Sequence, residues 1–154
     1  MDRTTEERLV RLAQREAGRA IERGDAPFGA VLADADGTVL LRARSTQTSS
    51  RDPTAHAEVN LLRLAGRRLG RSALDGLHVA VNAEPCSMCA SALVTARVSG
   101  IHFGAPHEPH MDPPLGAEEI VRRSRHRVEL SGGILAEACV AQIAAARSGA
   151  LPVD

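Results

Sequence analysis

Two short stretches constrain this chain more than anything else in it: Pro53-Thr54-Ala55-His56-Ala57-Glu58 and, about thirty positions later, Pro85-Cys86-Ser87-Met88-Cys89. One imidazole and two thiols on separate segments act together only if the fold returns both segments to one point. Three nitrogen and sulfur donors are the count at which a catalytic zinc ion keeps its fourth position open for water. Glu58 is not needed as a fourth ligand. Two residues from the histidine, it stands close enough to handle that water's proton.

The rest of the chain reads as a frame for this point. Thr4 and Glu7 stand at capping-box spacing. Leu9, Leu12, Ala13, Ala17, Ala20 and Ile21 then form one apolar helical stripe, ended by Gly24. Phe28 to Ala33 is nearly continuous apolar, as for a strand buried on both faces. A turn at Asp34-Ala35-Asp36-Gly37 leads to an antiparallel partner over Thr38 to Ser45, and a polar loop runs to Asp52. Thr54 to Leu69 is expected as a helix with Val59, Leu62 and Ala65 inward and with His56 and Glu58 in its first turn. Leu77 to Ala83 is a second buried strand, and Pro85 opens a helix in which Cys86 and Cys89 share a face. Ile101 to Ala105 is a further strand, Pro106 to Leu115 a proline-rich loop at the pocket rim, and Gly116 to Ser124 a short helix. Arg127 to Leu130 is an edge strand, Ile134 to Arg147 a last helix, and the tail from Ser148 is expected to be loose. This order implies an α/β fold, a three-layer α/β/α sandwich on a mixed five-stranded sheet. The whole of residues 1–154 is expected to be one domain, its core at about 5–147.

Composition narrows the partners. Nineteen Lys+Arg balance nineteen Asp+Glu, so the formal charge is zero, and this argues against a dedicated nucleic-acid surface. Two arginine-rich groups (Arg63, Arg67, Arg68, Arg71 and Arg122, Arg123, Arg125, Arg127) are read as solvated faces. Phe28 and Phe103 are the only aromatic residues of the Phe, Trp and Tyr set, which leaves little for bases to stack on. No apolar run approaches the ~20 residues of a membrane span. Three cysteines, two of them in Cys-x-x-Cys, fit metal ligation in a reducing, cytoplasmic setting. Cys139 is read as a small buried hydrophobe.

Asp52-Pro53-Thr54-Ala55-His56-Ala57-Glu58 and Ala83-Glu84-Pro85-Cys86-Ser87-Met88-Cys89-Ala90 resemble the zinc-dependent cytidine deaminase-like superfamily, most closely the branch of guanine deaminase, fungal-type cytosine deaminase and bacterial tRNA adenosine deaminase. Pro27-Phe28-Gly29-Ala30-Val31 is similar to the guanine deaminase group, and Arg127-Val128-Glu129-Leu130-Ser131-Gly132-Gly133-Ile134-Leu135 to the tRNA enzyme. The resemblance implies one zinc ion per subunit on His56, Cys86 and Cys89, with Glu58 as the proton carrier. It implies a base held by Phe28, by residue 45 and by the backbone at Ala57, with His107, Glu108, His110 and Asp112 near the closing loop. The family places asparagine at residue 45; here it is Ser45, whose hydroxyl cannot offer a donor and an acceptor at the same reach. Dimers are common in that branch, and the apolar helix from Ser87 to Val98 is a candidate surface for one. The leading expectation is hydrolytic deamination of a free guanine- or cytosine-like base. The alternatives are adenosine-to-inosine conversion in tRNA, a nucleoside deaminase, and a purely structural Cys₂His zinc module.

Overall fold

The computed structural model describes residues 1–70 and 73–149. Its elements run α1 (Arg3–Glu22), β1 (Gly29–Ala33), β2 (Val39–Arg44), α2 (Gln47–Ser50), α3 (Ala57–Leu69), β3 (His78–Ala83), α4 (Ser87–Thr95), β4 (Gly100–Ala105), α5 (Ala117–Arg123), β5 (Glu129–Ser131) and α6 (Ala136–Ser148). The sheet order is β2-β1-β3-β4-β5. β1 runs antiparallel to both β2 and β3, while β3, β4 and β5 are mutually parallel. The sheet is therefore mixed, as the sequence implies.

Two apolar layers sandwich it, and the period of two along each strand decides which residue serves which. Ala30 and Leu32 of β1 pack with Leu61, Ala65 and Leu93 of α3 and α4, together with Val79, Val81 and Ile101. Val31 and Ala33 point the other way, joining Leu9, Val10 and Ala13 of α1 and Cys139 and Ile143 of α6. Both layers being apolar explains why β1 reads as an unbroken apolar run and β3 as one interrupted only by His78 and Asn82, rather than as alternating patterns. Burying one leucine or valine fully is worth about 1.5–3 kcal/mol, so positions such as Leu9, Leu61 and Leu93 hold the helices on.

Element ends differ from the expectation in instructive ways. Asp2, not Thr4, caps α1: its carboxylate accepts the Thr5 backbone N–H at 3.0 Å and the Thr5 hydroxyl at 2.8 Å. An ionised carboxylate takes both donors where a Thr hydroxyl takes one. Within the expected loop, Gln47–Ser50 forms a single helical turn, closed by Arg51 in the left-handed region. α3 begins at Ala57 rather than Thr54, since His56 has extended backbone (φ −66°, ψ 157°) and stands at the N-cap. Its fully buried stripe is Ala57, Leu61 and Ala65, with Val59 and Leu62 only half-buried. The short helix before β5 ends on extended backbone at Ser124, and β5 itself is displaced one or two positions, to Glu129–Ser131. Arg71 of the first arginine group lies outside the described residues. So do residues 150–154, most of the expected loose tail, whereas Ser148 closes α6. Among the described residues, no helix is long and apolar enough to cross a membrane.

One close approach fixes α1 relative to the site. A Cβ on Gly29 would sit 2.1 Å from the Ala13 carbonyl oxygen and 2.5 Å from the Ala17 nitrogen. The helix backbone thus rests on the first residue of β1, immediately beside Phe28.

Candidate active site and metal centre

The site forms where β3 ends and where α3 and α4 begin. Cys86, like His56, is extended (φ −64°, ψ 169°) and caps its helix rather than lying inside it. Each cap carbonyl receives the first helical bond, from Asn60 N–H to His56 and from Ala90 N–H to Cys86. The side chains of both caps are left free to turn toward each other. Cys89 follows in the first turn of α4 and is fully buried.

His56 Nδ1 lies 3.7 Å from Cys86 Sγ and 3.4 Å from Cys89 Sγ, and the three donor atoms fall within 4.8 Å of one another. A tetrahedral zinc with bonds of about 2.3 Å to sulfur and 2.0–2.1 Å to nitrogen sets such N and S ligands about 3.6 Å apart. The two observed spacings straddle that value, so the donors fit zinc in both type and geometry.

Electrostatics at the centre follow from crowding. The Cys86 thiol is held down to about 4, first by the hydrogen bond from Cys89 and then by the hydrogen bond and charge of His56. Cys89 is pushed up, because it donates to Cys86 and is buried. His56 is raised by hydrogen bonding to the Cys86 thiolate, against the opposing effect of burial. A cation held between the three atoms would oppose the rise at Cys89, since its charge would act on both sulfurs. Glu58, in the first turn of α3 and only 7 % exposed, has its carboxyl raised by burial and further by the charge on Cys86.

Phe28, Gly29, Asn82, Glu84 and Met111 line the cavity together with His56, Glu58 and Cys86. The structure therefore gathers His56, Glu58, Cys86, Cys89 and Phe28 as the sequence expectation had them. Ser45, Ala57 and Asp112 are not among the residues lining it. Ser45 is wholly buried at the end of β2 with its hydroxyl donating to Gln47 Oε1 at 3.3 Å; Ala57 is buried in α3; Asp112 is exposed on the rim. In Asp112's place the rim loop presents Met111. Nothing in a Pro-, His- and Met-bearing loop marks which residue turns inward. Asn82 was legible in principle, as an amide inside an otherwise apolar strand.

Glu84 joins the metal motif to the rim. Its Oε2 accepts the His107 backbone N–H at 2.9 Å, and a Cβ at Gly116 would stand 2.2 Å from its Oε1. Glu108 of the same loop pairs with Arg147 of α6 at 2.6 Å. A second set of donors, His78, His102 and Glu129, sits at the opposite end of the strands. It is closed by its own bonds: His102 lies between His78 and Glu6, and Glu129 meets the Met1 ammonium at 3.1 Å.

Residues 3–105 match the model of the cytidine and deoxycytidylate deaminase zinc-binding region. The chain belongs to that deaminase family. It is 34 % identical over 148 residues to the tRNA-specific adenosine deaminase of Bacillus subtilis, covering 92 % of this chain and 88 % of that one. It is 41 % identical over 81 residues to the guanine deaminase of the same organism, covering 53 % and 51 %. A solved structure from a study of tRNA:A34 deaminases superposes with a TM-score of 0.76 at 31 % identity, covering 88 % of this deaminase and 98 % of that chain. As a family member the chain is a hydrolytic C–N deaminase with a zinc-binding domain, and His56, Cys86 and Cys89 form a group of donors that could hold the ion.

Proposed function

We propose that this deaminase acts on an adenine held in RNA, replacing the exocyclic amine by a carbonyl and releasing ammonia. The observation that carries the reading is the reach of the likeness. In sequence, 34 % identity to a tRNA-specific adenosine deaminase runs along 92 % of the chain, whereas 41 % identity to a guanine deaminase spans 53 %. The order of the two substrate expectations is thereby reversed.

Zinc on His56, Cys86 and Cys89 supplies a Lewis acid that makes water nucleophilic near neutral pH. Glu58 is the proton carrier: its buried carboxylate takes a proton from the attacking water and passes it to the ring nitrogen beside the reacting carbon, then takes the proton of the newly added hydroxyl and delivers it to the amine as the C–N bond breaks and the carbonyl forms. Burial serves this role, because raising the pKa brings the carboxyl nearer to the point where it can both accept and return a proton. Phe28 walls the cavity on the β1 side. Ser45, occupied with Gln47, leaves base recognition to other groups.

A free small base remains the second reading, favoured by charge. Arg122 and Arg123 both pair with Glu119 at 2.6 Å, which spends two cations of the second arginine group on one carboxylate. The test incubates the purified protein with an anticodon stem–loop and, separately, with guanine, adenine and cytosine. Inosine in the RNA supports the proposal; ammonia from a free base with none from RNA overturns it.

A further inference from the structure

The β1–β3 ladder stops early, and a side chain stops it. Backbone pairing runs Ala33↔His78, Leu32↔Val79, Val31↔Ala80 and Ala30↔Val81, and no further. The next groups of β1's approach that face β3 are the Gly29 N–H and the Pro27 carbonyl. Asn82 takes both: its Oδ1 accepts from Gly29 at 3.0 Å and its Nδ2 donates to Pro27 at 2.9 Å. Asn82 is fully buried, so neither bond is shared with solvent.

A carboxamide carries the same donor and acceptor as a peptide group but stands out from its strand by a Cβ. Placed here, it satisfies Gly29 and Pro27 at a greater strand separation than backbone pairing would. The seam it opens is where the cavity lies, with Phe28 and Gly29 on one bank and Val81, Asn82 and Ala83 on the other. We infer that Asn82 is a positioning residue that holds β1 and β3 apart and so sets the seat of the substrate ring beside Glu58. The inference rests on the deaminase reading of the cavity.

The test uses the full zinc-loaded chain and two variants, Asn82→Ala and Asn82→Asp. The Ala variant removes both bonds; the Asp variant keeps the acceptor for Gly29 but sets a carboxylate oxygen against the Pro27 carbonyl. With bound zinc and a cooperative melt as the check on folding, either variant should raise KM about tenfold or more while kcat falls less, because the metal donors and Glu58 stand on other elements. The pH profile should keep its shape. In Asn82→Ala the Gly29 amide should exchange with solvent much faster than in the parent, while Ala30 and Val31 stay protected. An unchanged KM, a Gly29 amide as protected as in the parent, or failure of both variants to fold with zinc overturns the inference. If the parent protein deaminates no base at all, the reading of the cavity fails instead, and Gly29 exchange, which needs no substrate, still decides whether Asn82 holds the seam.

Discussion

His102 Nδ1 lies 2.9 Å from Glu6 Oε1, joining β4 to α1 across ninety-six residues inside the dry layer. A carboxylate cannot donate, so His102 carries its proton on Nδ1. Its Nε2 must then accept from His78 Nδ1, 3.0 Å away. The chain of three groups requires Glu6 ionised, and burial disfavours a further proton on His78.

That requirement fixes how stability responds to acid. Burial holds His78 below its ordinary 6.5. The unfolded chain therefore binds more protons as pH falls through 6.5, and stability declines from there. Burial raises Glu6, but hydrogen bonds from Ser131, His102 and Arg3 outweigh it and hold the carboxyl below its ordinary 4.5. Its contribution is present above 4.5 and is lost as pH drops further. Thermal melts from pH 8 to 4 should show Tm falling in both intervals. His78→Gln should flatten the upper interval and leave the lower one; a parent Tm independent of pH down to 4 would refute the assignment.

Gly29→Ala should destabilise the fold by about 1–3 kcal/mol, the usual cost of forcing atoms into a packed site. The added carbon would meet the backbone of α1 at Ala13 and Ala17 rather than a side chain able to swing away. Denaturant midpoints of the two proteins decide this. Gly66→Ala is the control, since nothing lies within 4 Å of a Cβ there.

The sheet and the metal centre were legible because each rests on a local signal. A nearly continuous apolar run marked β1, mostly apolar segments marked β3 and β4, and donor spacing marked His56, Cys86 and Cys89. The helix starts were misread by one to three residues, since His-x-Glu and Pro-Cys-x-x-Cys look helical from their first letters while the fold spends His56 and Cys86 as caps. That displacement is what lets the two side chains converge. The lining at Met111 and the bond from Ser45 to Gln47 were not legible, because a loop's inward residue and a hydroxyl's partner are settled by tertiary contacts.

Removing zinc with a chelator should leave a folded protein. His56 and the two cysteines are carried on helices anchored elsewhere, by Ala57, Leu61, Ala90 and Leu93, all fully buried. Far-ultraviolet circular dichroism should therefore change little. Tm should drop by roughly 5–10 °C relative to protein with zinc at a hundredfold excess over its dissociation constant. Restored zinc should restore both Tm and turnover. Loss of the far-ultraviolet signal on chelation would mean that the metal organises the fold rather than only the site.

Glu58→Gln separates proton transfer from metal binding. The amide keeps nearly the same shape and sits beside, not among, the three donors, so one zinc per chain should remain. It cannot accept and return a proton, so turnover should fall by about 10²–10⁴-fold, the usual contribution of a placed acid–base group. The substitution also removes a buried ionisable group whose charged form is penalised by burial, so Tm should hold or rise slightly. Zinc content, Tm and deamination rate measured on one preparation check all three. Full turnover with zinc retained would move the proton carrier to another residue, and Glu84, the other carboxyl lining the cavity, would be the next to substitute.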